Sequence, residues 1–583
     1  MELNYMLKYK EWLLSDYFDE ETKEELKKIE DNEEEIEDRF YKELDFGTGG
    51  MRGKIGAGTN RMNIYTIRRV TQGLANYILN YSDDGKERGV AIAYDSRHKS
   101  AEFALEAALV LAANGIKAYL FEGIRPTPEL SFAVRELKAI GGIVITASHN
   151  PAEYNGYKLY WEDGGQVVSE QAHEIIAEIN EIDDFELVKR MEKEEAIAQG
   201  YLQIVGEEID ERYLEEIMKV LPARELAAER GKELTIIYTP LHGTGNMPVR
   251  RLLERLGFTD LHIVEEQAVA DPDFSTVESP NPEEFSSFKM ALDLAKEHDP
   301  DLIMATDPDA DRIGVVVKDA SGEYRNLTGN QIGVLLSNFL LEQMKESGNL
   351  PDNGVIIKTI VSTEMIREVA KDYGVEVMDV LTGFKFIGEK IKEFEEKGDK
   401  SFIFGFEESY GFLAGTYARD KDAVISAGLI AIMALYYREK GLSIYDKLLD
   451  LMARYGYYRE ELAAITLEGK EGEEKINNTL RKLREEKPGS FCGIKVAECS
   501  DYQQGRRYNY QLGEEKEISL PLSNVLQYRL EDDSVLTIRP SGTEPKLKIY
   551  FMVKGSTAAE ADERITELRA RFLGEINEIL EEV

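Results

Sequence analysis

The stretch Gly142-Ile143-Val144-Ile145-Thr146-Ala147-Ser148-His149-Asn150-Pro151 runs from a short β-branched segment straight into a polar loop. Its apolar part, 142–146, reads as the third strand of a unit that opens at Val90-Ala91-Ile92-Ala93-Tyr94. A helical pattern over 101–114 and a second strand over 116–121 fill the interval. The same order recurs from Leu234-Thr235-Ile236-Ile237-Tyr238, through a helix near 249–256 and a strand over 261–264, to a strand over 301–305. It recurs again from Val355-Ile356-Ile357, through 363–372 and 375–380, to Phe402-Ile403-Phe404. Strands alternating with helices predict βαβ units. The expected fold is therefore α/β: three similar α/β domains with mostly parallel mixed sheets.

The rest of the chain reads differently. Residues 1–45 predict a charged helical arm packed on the first domain. From about 458 to 500 the pattern is charged helices and loops. Two strands, 535–538 and 547–553, then flank a polar turn, and a helix over 558–580 closes the chain. This predicts a smaller C-terminal α+β domain. The expected bounds are 1–45 for the arm, 46–205, 206–320 and 321–457 for the α/β domains, and 458–583 for the last. Ligands of open α/β sheets bind at the carboxyl ends of strands. The strand-end loops are thus expected to face one central cleft, with the fourth domain's turn as another wall.

Composition limits the function. The 583 residues carry 71 Lys+Arg and 111 Asp+Glu, a net charge of 71 − 111 = −40. That charge repels phosphate backbones, so no nucleic-acid partner is expected. Any site for a small anion must be a local convergence of donors. Two cysteines, Cys492 and Cys499, make neither a disulfide scaffold nor a zinc site. The opening Met1-Glu2-Leu3-Asn4-Tyr5 has no basic or apolar leader pattern. The longest apolar run, 423–437, falls short of the ~20 residues that span a bilayer and reads as a buried helix. The expectation is a cytoplasmic protein with no membrane partner.

Four loops carry chemistry. Ser148 follows a strand directly, as a presented nucleophile does, although Thr146 stands where a nucleophile elbow needs glycine. A turn serine gives the same pattern. In Asp307-Pro308-Asp309-Ala310-Asp311-Arg312, three carboxylates at alternate positions can converge on one hard cation. An EF-hand is excluded, because Arg312 replaces its glycine and Lys318 its terminal glutamate. Few protein ligands, with room for water and a phosphate oxygen, suit Mg²⁺. In Gly405-Phe406-Glu407-Glu408-Ser409-Tyr410-Gly411, paired acids beside a serine can accept hydrogen bonds from sugar hydroxyls; an acidic helix N-terminus reads the same way. In Arg539-Pro540-Ser541-Gly542-Thr543-Glu544-Pro545-Lys546, a glycine, hydroxyls and a guanidinium suit a phosphate. The glycine-rich run Phe46–Gly53 is placed to bring Arg52 to the cleft, and His242-Gly243-Thr244-Gly245 reads as a structural turn. Neither run is a dinucleotide fingerprint.

Taken in order, these loops resemble the α-D-phosphohexomutase family, phosphoglucomutase branch, over about residues 40–560. The resemblance implies four domains around one cleft and a phosphorylated Ser148. It implies Mg²⁺ on Asp307, Asp309 and Asp311, with a phosphate oxygen on Ser148 as a further ligand. It assigns Glu407 and Ser409 to sugar hydroxyls, and Thr382 and Gly383 to a neighbouring substrate loop. Arg539, Ser541, Gly542 and Thr543 fall to the non-reacting phosphate. Arg52 and Arg312 become active-site arginines, and Lys158, Lys421 and His149 candidates for proton transfer. The implied reaction interconverts α-D-glucose 1-phosphate and glucose 6-phosphate, with glucose 1,6-bisphosphate as intermediate and activator. Glu408 after Glu407 resembles the glucose and pentose enzymes; phosphomannomutase and phosphopentomutase activities are the alternatives. A Mg²⁺-dependent phosphatase would need no second phosphate cradle. A non-catalytic sugar-phosphate-binding regulator is expected to lack the serine or an aspartate, and neither is missing. Small sugar phosphates are the expected partners, to a monomer or homodimer.

Overall fold

The computed structural model describes residues 4–47, 49–467, 469–541 and 546–583. Two compact units emerge: Met1–Gly329 with Phe384–Gly441, and Asn330–Gly383 with Leu442–Val583.

The first unit begins with a six-stranded sheet. Its strands are β1 (Gly50–Lys54), β2 (Val90–Tyr94), β3 (Ala118–Phe121), β4 (Gly141–Ile145), β5 (Tyr154–Trp161) and β6 (Leu202–Val205), in the spatial order β1-β5-β4-β2-β3-β6. The run β4-β2-β3-β6 is parallel, and β5 and β1 add antiparallel at one edge. β2 and β4 are buried almost throughout, which is why they read as continuous apolar runs rather than alternating ones. A second sheet holds β7 (Ile236–Thr239), β8 (Leu261–Ile263), β9 (Leu302–Thr306), β10 (Ile313–Lys318) and β11 (Tyr324–Leu327), ordered β11-β10-β9-β7-β8. Only β9-β7-β8 is parallel; β10 and β11 turn back antiparallel after the acidic loop. This sheet is mixed in equal parts, not mostly parallel, because the hairpin that follows the third strand stays in the sheet.

The second unit contributes the parallel pair β12 (Gly354–Thr359) and β13 (Glu376–Val380). The first unit then adds the antiparallel pair β14 (Ser401–Glu407) and β15 (Gly411–Ala414). Next comes the helix Ala423–Glu439, buried from Ala423 to Tyr437 as its composition predicts. Among the described residues no helix is long and apolar enough to cross a membrane.

The C-terminal part of the second unit is an antiparallel sheet. It comprises β16 (Tyr457–Thr466), β17 (Ser490–Phe491), β18 (Ile494–Asp501), β19 (Arg506–Asn509), β20 (Glu514–Glu517), β21 (Leu526–Leu530), β22 (Val535–Pro540) and β23 (Lys546–Gly555). The order is β16-β23-β22-β21-β18-β19-β20, with β17 on β18. The helix Ala558–Glu582 covers one face through Ile565, Leu568, Phe572, Ile576 and Leu580, the spacing of one helical stripe. Here the sequence reading needs correction: 457–466 is a ten-residue strand, not charged helix or loop. β16 lies at the sheet's edge, so Arg459, Glu460 and Glu461 are tolerated in it and hide its period of two.

The arm is three helices, Asn4–Leu14, Glu20–Lys27 and Glu33–Phe40. It has its own apolar core of Trp12, Phe18, Leu26, Ile36 and Phe40 against Tyr65. Trp12 stacks on Phe18 at 4.1 Å between ring centroids and meets Phe40, Tyr65 and Phe185 edge-on. Trp12→Ala should cost about 3–5 kcal/mol locally and lower the first thermal transition. Leu14→Ala, at a side chain 81% exposed, should leave that transition in place. Equal midpoints in differential scanning calorimetry would mean that the arm is not packed.

Candidate active site

In the first unit the carboxyl ends of β4 and β9 bring the serine loop and the acidic loop together. Ser148 is buried and holds a left-handed backbone, φ 53°, an uncommon conformation for a residue with a Cβ. Its backbone N–H donates to Thr146 Oγ1 at 2.8 Å. Its Oγ donates to Asp307 Oδ2 at 2.7 Å and lies 3.2 Å from His149 Nδ1.

Asp307, Asp309 and Asp311 are all buried, and a carboxylate oxygen from each falls within 4.8 Å of the others. Their partners are divided. Asp307 Oδ1 accepts the backbone N–H groups of Asp311 and Arg312, both at 3.1 Å. Lys158 Nζ donates to Asp309 Oδ2 at 2.7 Å and to Asp311 Oδ2 at 3.3 Å. Lys421 Nζ lies 3.0 Å from Asp311 Oδ2 and 3.1 Å from Asp420 Oδ1. Asp309 Oδ1 and Asp311 Oδ1 are buried without a hydrogen-bond partner. Two carboxylate oxygens without a hydrogen-bond partner in an all-oxygen set fit a hard divalent cation, which would repay their desolvation.

The electrostatics follow from this crowding. Burial, then repulsion from Asp309 and Asp311, holds the Asp307 carboxyl well above the usual carboxylate range. Burial also pushes Asp309 up, but Lys158 and the hydrogen bonds it receives reverse this and leave it low. Lys158 and Lys421 end above their ordinary values: burial lowers both, and the facing carboxylates more than compensate. Both are therefore ammonium groups. Burial and the nearby Arg312 and Arg52 push His149 well down, so its imidazole is neutral.

The remaining expected residues of this unit surround the same centre. Arg52 on β1 donates to Asn150 Oδ1 at 3.0 Å. Arg312 forms an ion pair with Glu283 and has its Nε 3.6 Å from Asp311 Oδ1. Glu407 is buried at the end of β14, and its charge is among those that raise Lys421 and Arg312. Its loop is a β-hairpin turn with Glu407 paired to Gly411, not a helix N-terminus; Ser409 sits half-buried within it. Gly411 has a specific reason: a Cβ there would lie 2.1 Å from Lys421 Cδ, so the lysine stem crosses the bare backbone. The turn at Gly243 likewise packs under the acidic loop, where a Cβ would lie 2.5 Å from Pro308 Cα.

The second unit holds the other expected loop residues. Arg539, near the end of β22, donates to Thr382 Oγ1, and Gly383 follows with φ 118°. The Ser541 N–H bonds Lys546 O at 2.7 Å. Gly542 and Thr543 lie outside the described residues.

Sequence reasoning missed several supports. Thr127, opening the helix Thr127–Glu136, donates through Oγ1 to Asp309 Oδ2 at 2.8 Å and through N–H to Asp309 O at 2.9 Å. Tyr160 donates to Asp420 Oδ2 at 2.6 Å beside Lys421. Asp422 caps the helix Ala423–Glu439 through Val424 and Ile425 N–H, which anchors the Lys421 loop. Arg97 lies under the serine loop. Only Arg97 carried a readable signal, since Asp95-Ser96-Arg97 follows the carboxyl end of β2.

Comparison with known proteins decides the family. Models of the phosphoglucomutase/phosphomannomutase α/β/α domains I, II and III match residues 43–186, 211–322 and 328–455. The chain belongs to this family. It is thus a phosphohexomutase, of the isomerase class, as the four loops led us to expect. A phosphoglucomutase of Staphylococcus haemolyticus is 38% identical over 515 residues, 88% of this chain and 91% of that protein. One from Staphylococcus aureus is 38% identical over 534 residues, 91% and 93% of the two. Among solved structures, a phosphoglucomutase/phosphomannomutase family protein from Burkholderia thailandensis shares the phosphohexomutase fold at a TM-score of 0.64 and 19% identity, covering 91% of this chain and 97% of that one. Parafusin from Paramecium does so at 0.67 and 17%, covering 92% and 95%.

Proposed function

We propose that the chain interconverts α-D-glucose 1-phosphate and glucose 6-phosphate, with Ser148 as phosphoryl carrier and glucose 1,6-bisphosphate as intermediate and activator. The observation that carries this is the buried Ser148 Oγ, 2.7 Å from one member of a carboxylate triad that has two orphaned oxygens. Asp307, Asp309 and Asp311 are the residues that would hold Mg²⁺, with a phosphate oxygen on Ser148 as a further ligand. When bound, Mg²⁺ neutralises charge on the transferring group.

The chain's own residues account for the rest. In the first transfer the P–O bond to Ser148 breaks as a bond forms to the free sugar hydroxyl. One proton passes, in net, from that hydroxyl to the serine oxygen. Lys158 and Lys421, held as ammonium groups among Asp309, Asp311 and Asp420, are the donors placed to relay it. His149, neutral beside Oγ, is the third candidate. Arg52 and Arg312 offset charge on the phosphoryl group, and Glu407 with Ser409 accepts hydrogen bonds from sugar hydroxyls. After the bisphosphate reorients, its other phosphate returns to Ser148. Arg539 and Ser541, with Gly542 and Thr543, are assigned to the phosphate that is not reacting, and Thr382 and Gly383 to the neighbouring substrate loop. We place the enzyme in the cytoplasm, where Cys492 and Cys499, both unbridged, stay reduced.

Glu408 after Glu407 favours glucose over mannose. Coupled assays on glucose, mannose, ribose and glucosamine 1-phosphates should give the highest kcat/KM with glucose. A preference for any other sugar overturns the substrate assignment.

Arg539→Ala should weaken sugar-phosphate binding and leave phosphate on Ser148. Loss of a charge-assisted contact costs about 1.5–3 kcal/mol, or roughly ten- to a hundredfold in kcat/KM. The bisphosphate, with one anchor gone, should escape more often, so the variant should need more added glucose 1,6-bisphosphate. Titration of that activator against rate tests this; identical curves for wild type and variant would make the turn structural only.

A further inference from the structure

Arg97 is fully enclosed and touches neither the acidic triad nor any side chain assigned above to the sugar phosphate. Its guanidinium gathers backbone carbonyls from the whole serine loop. Nη2 donates to Ser148 O at 2.6 Å and also to Asn150 O. Nη1 donates to Pro151 O at 2.8 Å and Tyr154 O at 3.1 Å. Its Nε lies 3.3 Å from Asp95 Oδ2, and both side chains are 0% exposed. Asp95 is fixed in turn, accepting from Arg97 N–H at 2.9 Å and Ser100 Oγ at 2.7 Å. The Phe274 ring, from the loop after β8, covers the guanidinium at 4.9 Å.

We propose that Arg97 is the positioning residue of the nucleophile: its planar fork holds the Ser148–Tyr154 backbone so that Ser148 keeps its left-handed conformation with Oγ toward Asp307. The proposal rests on Ser148 being the phosphoryl carrier. A left-handed serine is strained and persists only where its surroundings over-determine it. Four carbonyls converging on one side chain supply that constraint. They also satisfy both terminal nitrogens of a buried cation, which would otherwise be costly. Lysine keeps the charge but cannot replace the fork, because an ammonium presents three donors from one point. Phe274 fixes the plane of the fork from the outer side. Through it the segment that bears β9 and the acidic loop bears on the serine loop, so the two halves of the centre keep register.

A displaced nucleophile loses rate rather than ground-state affinity. Arg97→Lys is therefore expected to lower kcat about ten- to a hundredfold, with the KM for glucose 1-phosphate changed less than about twofold. Arg97→Gly should regain part of its kcat when millimolar guanidinium ion is added. Phe274→Leu, which leaves the fork intact, should lower kcat several-fold and serves if the Arg97 variants fold poorly. His98→Ala removes only an exposed pair with Asp273 and should behave as wild type. Rates are normalised to folded protein by circular dichroism, and phosphate on Ser148 is measured by peptide mass spectrometry. Wild type without phosphate on Ser148 sinks the carrier assignment itself. Phosphorylated wild type, together with Arg97→Lys and Phe274→Leu at wild-type kcat, overturns the role of Arg97. So does a loss that tracks only the folded fraction, with no response to guanidinium.

Discussion

Ser148→Ala is expected to abolish turnover while the protein stays folded. Removing a nucleophile lowers kcat by on the order of 10⁴ or more, because no other group in the centre can carry a phosphoryl group through reorientation. Lys158 and Lys421 are ammonium groups and lack the lone pair that a nucleophile needs. The structural cost is small. The variant keeps the backbone carbonyl that Arg97 holds, and loses one hydrogen bond to Asp307, worth about 1 kcal/mol. The decisive measurement pairs kcat with mass spectrometry: wild type should show a phosphorylated peptide containing Ser148, and the variant none. Added glucose 1,6-bisphosphate should not rescue the variant, since in the proposed reaction that activator would act by rephosphorylating the serine. A variant that retains even a tenth of wild-type turnover refutes the covalent route.

What the sequence shows and what it hides divide along a physical line. Val90–Tyr94, Gly142–Thr146 and the 423–437 helix are legible because burial on all sides leaves a continuous apolar run. Asp307, Asp309 and Asp311 are legible because three like charges at alternate positions repel one another, a cost that a bound cation removes. β16 is hidden because an edge strand can carry Arg459, Glu460 and Glu461. The β10–β11 hairpin is hidden because a strand that returns antiparallel looks like one that crosses over. Thr127 is one hydroxyl among many, and its meaning lies in a carboxylate 182 residues away; the place of Arg97 after β2 is readable, but what it holds, carbonyls some 50 residues away, is not. Nor does spacing reveal that the two lysines meet the acidic loop. That needs β5 beside β4, and a glycine at 411 under the stem of Lys421.

Asp309→Asn and Asp307→Asn should both lose activity and yet move stability in opposite directions. Each removes one of the three carboxylates that, in the proposed function, would hold Mg²⁺. Several kcal/mol of charge stabilisation then goes from the transition state, so kcat falls by on the order of a thousandfold. In metal-free protein the two differ. Asp309 has its folded pKa below the ordinary value. It therefore contributes stability that is present above the unfolded carboxylate pKa of ~3.9 and lost as pH falls through the folded one. Asparagine forfeits that, together with the 2.7 Å ion pair to Lys158. Asp307 has its folded pKa raised, so ionising it costs stability once pH climbs through that value. Asparagine removes the cost, and its amide oxygen can still accept the N–H groups of Asp311 and Arg312. With EDTA present, Asp309→Asn should lower Tm at pH 7.5 and Asp307→Asn should raise it. The Asp307→Asn difference should shrink toward pH 4, whereas the Asp309→Asn difference should persist there and shrink only at lower pH. Added Mg²⁺ should raise the Tm of wild type more than that of either variant, because anything that binds only the folded state stabilises it by mass action. Shifts of the same sign at pH 7.5, or no Mg²⁺ response in wild type, would remove the electrostatic account of the triad.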